Sequence, residues 1–149
     1  MADIMTPAER SRRMAGVRQS GTAPELALRK ALHALGFRFR VNARHLPGRP
    51  DIVLPKFRVA LFVHGCFWHG HCCPAGHPPA TNHDYWLQKL AANRQRDRRK
   101  SAALRKLGWR AWVTWECELK THPAAEHTAR RLAARIRRIQ AGTRIVQGR

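Results

Sequence analysis

The amino-acid sequence predicts a single α/β domain in which a hairpin sheet is joined to a fourth strand by a helical crossover. Three observations carry that expectation. The chain has 149 residues, enough for one domain, and is 44% hydrophobic, enough for a core and too much for a disordered chain. Its patterning alternates between helical and strand periods in the order α-α-β-β-β-α-β-α. No internal repeat or linker divides it, so residues 1–149 read as one unit.

Two capping boxes open the chain. In Thr6-Pro7-Ala8-Glu9 and in Thr22-Ala23-Pro24-Glu25 the Thr hydroxyl can accept from the third helical amide while the Glu reaches back. The first starts a short basic helix to about Val17, within a basic N-terminal segment of residues 1–20. The second starts a helix with Leu28, Leu32 and Leu35 at i, i+4 and i+7, stopped by Gly36. Phe37-Arg38-Phe39-Arg40-Val41 alternates with period two and reads as a half-buried strand. Pro47-Gly48 and Pro50 punctuate a loop that starts at Asn42.

Asp51-Ile52-Val53-Leu54 is a short strand, turned by Pro55-Lys56 into the run from Arg58 to Val63. That run is nearly all apolar, which suits a central strand buried on both faces. A loop rich in His, Cys, Gly and Pro follows from His64 to about Asn82. A long helix from about Asp84, its cap, to Lys106 carries Trp86, Leu87 and Leu90 on one side, and Gly108 ends it. Trp109 to Trp115 is another apolar strand, and Pro123 opens a final helix with Leu132, Ile136 and Ile139. Residues 141–149 show no pattern and read as a mobile tail.

Charge narrows the partner. Lys plus Arg number 29 against nine Asp plus Glu, a formal net charge of +20. Such a chain repels itself unless a polyanion shares its field, which makes nucleic acid the first partner to consider and a membrane surface the second. No apolar run approaches the roughly 20 residues that span a bilayer. Residues 1–7 lack the apolar stretch of a secretory signal, and a cytoplasmic location is expected. The cysteines at 66, 72, 73 and 117 are too few and too uneven for a disulfide framework.

With so few acids, each can be weighed. Glu9 and Glu25 complete capping boxes, and Asp97 sits mid-helix among Arg94, Arg96, Arg98 and Arg99, where a solvated ion pair is the plain reading. Asp51 stands apart, following Arg-Pro at the mouth of a strand. A lone carboxylate there repels phosphate unless a divalent cation lies between them, and Mg²⁺ takes one or two carboxylates with water and substrate oxygens. The competing reading is an Asx-turn that closes the loop.

The run Val63-His64-Gly65-Cys66-Phe67-Trp68-His69-Gly70-His71-Cys72-Cys73 is the most informative. Tetrahedral Zn²⁺ takes four N or S ligands. This run can supply three, and Cys117 follows a strand that can return to the same sheet edge. His69, His71, Cys72 and Cys73 compete for two positions beside Cys66 and Cys117, and any histidine left over is free for proton transfer. Phe67 and Trp68 are adjacent on this loop and read as an exposed aromatic wedge, which Trp86 could join. Aromatic groups beside basic ones suit stacking on bases or insertion between base steps.

Together, Leu46-Pro47-Gly48-Arg49-Pro50-Asp51, His64-Gly65-Cys66-Phe67-Trp68-His69, Trp86-Leu87-x-Lys89, Arg94-x3-Arg98-Arg99 and Gly108-Trp109 through Trp115-Glu116-Cys117 resemble the very short patch repair (Vsr) endonucleases. The match runs in order from about Ser11 to about Ala134. The resemblance implies a restriction-endonuclease-like αβββαβ core, a mixed sheet flanked by helices, with an added structural Zn²⁺. It implies a monomeric, Mg²⁺-dependent DNA endonuclease of the bacterial cytoplasm and nucleoid, with other mismatch-repair proteins as further partners. Its substrate would be double-stranded DNA with a T:G mismatch left by 5-methylcytosine deamination, nicked 5′ to the thymine.

By position, the resemblance makes Asp51 the carboxylate ligand to Mg²⁺ and the backbone carbonyl of Val63 the second protein ligand. It makes His69 the general base and has His64 assist at the scissile phosphate. Glu25 and Asp97 would support the site, Asp97 by orienting a histidine. Cys66, His71, Cys73 and Cys117 would hold Zn²⁺. Phe67, Trp68 and Trp86 would enter the duplex from one groove and Met14 from the other, with the N-terminal helix against DNA. Two departures stand out: Val63 replaces a frequent Thr, and Cys72 sits beside the expected ligand Cys73. Leu61 to Gly65 also lacks the acid and Lys of ordinary restriction-like nucleases, which leaves that work to His64 and His69. The rival readings are a non-catalytic zinc-containing nucleic-acid-binding module and a restriction-type nuclease acting on intact sites.

Overall fold

The computed structural model describes residues 4–17 and 20–147. Its elements run α1 (Pro7–Ala15), α2 (Ala23–Ala34), β1 (Arg40–Val41), β2 (Ile52–Leu54), β3 (Val59–His64), α3 (His83–Lys106), β4 (Arg110–Trp115) and α4 (His122–Gln147). The four strands form one sheet in the order β1-β2-β3-β4. β1 to β3 pair antiparallel, and β4 returns parallel to β3 through α3. A parallel return needs such a crossover.

Period two sorts the side chains between the two faces. Ile52, Leu54, Val59, Leu61 and Trp112 face Leu28 and Leu32 of α2 and Ala129, Leu132 and Ile136 of α4. Val53, Ala60, Phe62 and Ala111 form the other face, with Leu46 from the loop and Leu104 from α3. β3 is the central strand, buried nearly throughout. Among the described residues no helix is long and apolar enough to cross a membrane.

Local details depart from the sequence expectation in four places. The Phe37–Val41 strand shortens to Arg40–Val41, paired with Val53 and Ile52; in that register Arg38 falls opposite Pro55, where β2 has ended, while Phe37 and Phe39 still pack on the core. The Thr6–Glu9 capping box forms in full. At α2 the Thr22 side chain caps no amide, and Glu25 reaches past it to the amide of Gly21 at 2.8 Å. α3 is capped by Asn82 in the left-handed region, with Asp84 in its first turn, and Leu87 is exposed. α4 extends to Gln147, through most of the stretch expected to be a patternless tail; no proline lies between 141 and 147, and the helix runs on through Gly142.

Candidate active site and metal cluster

Because β2 runs antiparallel to β3 and β4 parallel to it, the start of β2 lies beside the ends of β3 and β4. A cleft of about 560 Å³ opens there, lined by Asp51, His64, His69 and Asp97 among others.

Asp51 immediately precedes β2 and is held by β3. Its amide donates to the carbonyl of Leu61 at 3.0 Å, and its Oδ2 accepts from the amide of Val63 at 2.7 Å. Burial pushes the carboxyl up to about 6 against the pull of the Val63 amide, and the negative charge of Glu25 adds to the rise. A residue in a strand presents its N–H and C=O to the same side. The carbonyl of Val63 therefore faces the Asp51 edge too, and a carboxylate with a carbonyl is a hard oxygen pair that fits Mg²⁺. Glu25 is only 3% exposed and accepts from Gly21, from the Thr22 hydroxyl at 3.2 Å and from Arg29 at 3.1 Å.

The rings of His64 and His69 also line the cleft, stacked 3.7 Å apart and 7° from parallel. His69 Nδ1 donates to Asp97 Oδ2 at 2.6 Å, which fixes the tautomer and leaves Nε2 free to accept a proton. Burial, and then the neighbouring His69, depress His64 to about 4, so it stays neutral near pH 7. These three side chains lie close enough together to hold a metal themselves.

A second cluster adjoins the first. Cys66, His71, Cys73 and Cys117 bring one ligand atom each within 4.8 Å of the others. Cys117 Sγ lies 3.6 Å from His71 Nδ1. Tetrahedral edges around zinc run about 3.3–3.8 Å, so the set fits that ion. Burial pushes Cys66 up to about 12, while a hydrogen bond with His71 pulls Cys73 down to about 7. Cys72 is exposed and outside the group. Of the four competitors in the loop, the structure brings His71 and Cys73 to Cys66 and Cys117 and turns His69 to Asp97.

The aromatic residues pack edge to face, with Phe67 centred 5.0 Å from Trp68 and 5.2 Å from Trp86. The expectation that Phe67 and Trp68 are exposed is corrected here. Phe67 and Trp68 are half-buried, and Trp86, on the inner side of α3, is 4% exposed with the Arg10 guanidinium 5.7 Å over its ring. Met14 on α1 is half-buried, its sulfur 3.8 Å from Lys89 Nζ.

Residues 2–75 match the family described as DNA mismatch endonuclease Vsr. The chain is 44% identical over 120 residues to the DNA mismatch endonuclease Vsr of Escherichia coli, spanning 80% of this chain and 77% of that one. The chain belongs to the Vsr family. It is a DNA endonuclease. It is also 50% identical over 132 residues to the type II nicking enzyme V.XorIIP of Xanthomonas oryzae, spanning 89% of this chain and 97% of that one. With V.NmeAIP of Neisseria meningitidis, another type II nicking enzyme, the identity is 42% over 137 residues, 92% and 98% of the two chains.

Two residues that the sequence reading does not single out hold the Vsr loop in place. Asn93 Nδ2 donates to the carbonyl of Trp68 at 2.8 Å, and Glu116 Oε2 accepts from the Cys66 amide at 3.4 Å. A signal for Asn93 exists in the sequence. Trp86, Leu90, Asn93, Asp97, Lys100 and Leu104 point within about 40° of one direction at 100° per residue. That stripe is apolar at both ends and polar in the middle, where α3 passes the cleft.

Proposed function

We propose that this endonuclease nicks double-stranded DNA 5′ to the thymine of a T:G mismatch by Mg²⁺-dependent phosphodiester hydrolysis. The observation that carries the reading is one cleft that holds both a half-buried Asp51 and a His69 oriented by Asp97. In this reading Asp51 and the Val63 carbonyl hold Mg²⁺, which when bound polarises the phosphate and lowers the pKa of water. His69 Nε2 takes the proton of the attacking water as its oxygen adds to phosphorus, and Asp97 stabilises the imidazolium that forms. Neutral His64 donates its one N–H to the phosphate, and Glu25 supports the Asp51 side of the cleft.

Zn²⁺ on Cys66, His71, Cys73 and Cys117 fixes the turn that carries His69 and the Phe67–Trp68 pair. Phe67 and Trp68 enter the base stack from one groove and Met14 from the other. Trp86, packed against Phe67, Trp68, Tyr85 and Arg10, follows only when those contacts part. Insertion costs a few kcal/mol per base step, least at a mismatch, so a rigid wedge selects the T:G site while the basic surface holds phosphates of any sequence. The α-β-β-β-α-β run from α2 to β4, with a carboxylate at the sheet edge, supports a restriction-endonuclease-like core. Relatives named as nicking enzymes and as a mismatch endonuclease support the strand nick. The protein acts as a monomer on nucleoid DNA in the bacterial cytoplasm, alongside other mismatch-repair proteins.

End-labelled T:G and C:G duplexes of one sequence, incubated with Mg²⁺ or with EDTA, test this. The expected product is a single nick 5′ to the mispaired thymine, with Mg²⁺ only. Equal nicking of the C:G duplex would favour a nuclease acting on intact sites.

A further inference from the structure

We infer that Lys100 is a further catalytic residue, its ammonium donating to a non-bridging oxygen of the phosphate under attack. The inference rests on the Asp51 cleft being the place of cleavage. It starts from α3, where Lys100 is in phase with the inward stripe of Leu90, Asp97 and Leu104, whereas neighbouring Arg98 and Arg99 point elsewhere around the helix. Lys100 lines the cleft with Asp51, His64, His69 and Asp97.

Its stem is guided there by a glycine. Gly48 has φ +76°, and a Cβ built on it would stand 2.8–2.9 Å from Cβ, Cγ and Cδ of Lys100. Real side chains do not approach so closely. Lys100 is exposed as a whole, but its stem lies in a groove that exists because residue 48 has no side chain, and that contact sets the course of the stem along the cleft wall. The charge at its tip bears on both Asp51 and His64, the two sides of the cleft.

The chemistry gives that charge a use. Asp51, Asp97, Glu25 and Glu116 all line the cleft against two cations, Arg49 and Lys100, and Arg29 is committed to Glu25. A phosphodiester enters this acidic setting already anionic. As water oxygen bonds to phosphorus and the bond to the leaving oxygen breaks, the water proton passes to His69 and the leaving oxygen takes up a proton from a second water in the open cleft. The non-bridging oxygens carry the added charge in between. An ammonium is a compact point charge with three donors, suited to that moment.

The test is single-turnover nicking of a T:G duplex at saturating enzyme, with Kd and melting measured on the same proteins. Lys100→Met should nick about 10- to 100-fold more slowly, with Kd within about threefold and melting unchanged, and Lys100→Arg should recover part of the rate. Adding Gly48→Ala to Lys100→Met should cost no further rate, because the groove then guides nothing. If the glycine variant fails to fold, the two lysine variants decide. An unchanged rate at saturation, or a loss explained wholly by weaker Kd, overturns the inference. Asp51→Asn is the control for the premise: wild-type nicking in that variant would instead remove the cleft as the place of cleavage.

Discussion

Two clusters share one turn and are built on opposite chemical plans. Cys66 and His71 belong to the sulfur-rich group, while His69, between them in sequence, belongs to the cleft. Trp115 stands against both, with the His71 ring stacked 4.2 Å away and His64 meeting it edge-on at 5.4 Å. The sulfur group is closed, its four ligand atoms already converged and none left for a substrate. The cleft is open, with a hard carboxylate and two imidazoles facing a volume that admits water and phosphate. A soft closed set can brace the backbone without entering the chemistry. A hard open set must keep positions vacant, and the raised carboxyl of Asp51 is the cost of holding it there.

The largest expected effect is on the closed cluster. Cys117→Ser should lose zinc and cooperative folding, since such sites contribute about 10–16 kcal/mol in small peptides against a whole-domain stability of about 5–15 kcal/mol. Cys72→Ser should keep both. Metal content and thermal melting check this; zinc kept by Cys73→Ser but lost by Cys72→Ser would shift the ligand set by one residue.

On the open side, Asp51→Asn should reduce nicking at least about 1,000-fold while duplex binding survives, because the carboxylate holds metal and offers phosphate no attraction. The same variant should stabilise the metal-free protein. The carboxyl moves from 3.8 to about 6 on folding, so the native state binds the proton more tightly and the charged form is destabilising. The penalty is absent below about pH 4, grows as pH rises, and is complete above about 6, where two pH units correspond to about 3 kcal/mol at most. Melting of Asp51→Asn should exceed wild type by several degrees at pH 7.5 in EDTA, and the gap should close by pH 4. A gap that widens on acidification contradicts the assigned burial.

Smaller effects sharpen the division. Asp97→Asn should cost about 10- to 100-fold in nicking rate and leave zinc in place, since it orients His69 and touches no sulfur. Trp68→Ala should lower the preference for T:G over C:G with the salt dependence of binding unchanged. Arg98→Ala should do the reverse, with a log K against log salt slope shallower by about 0.9 if it holds one phosphate. Lowered melting of Trp68→Ala with intact selectivity would make that ring structural.

Much of this division is legible in the sequence, for physical reasons. Apolar runs and turn residues mark β2, β3 and both ends of α3, and the clustering of His and Cys in a chain poor in acids marks both sites. What is not legible depends on contacts across the sheet. Asp97 reads as a solvated ion pair until β3 and α3 set His69 against it. Trp86 reads two ways, as a helix residue beside Leu90 and as a ring that could join the Phe67–Trp68 wedge, and its place on the stripe with Leu90 and Leu104 buries it. Glu25 reads as a cap, and it lies buried near Asp51 because Gly21 turns the chain to meet it. The Lys100–Gly48 contact joins positions 52 residues apart, and no local pattern announces it.

The separation of the two clusters is tested most directly by following metal and activity together through chelation. Purified protein is dialysed against EDTA, zinc is counted per chain, and nicking of the T:G duplex is measured before and after Mg²⁺ is restored. One zinc per chain should remain while nicking falls to background, and Mg²⁺ alone should restore it fully. Zinc lost in step with activity, or nicking that Mg²⁺ without zinc fails to restore, would contradict a closed structural cluster beside an open catalytic one.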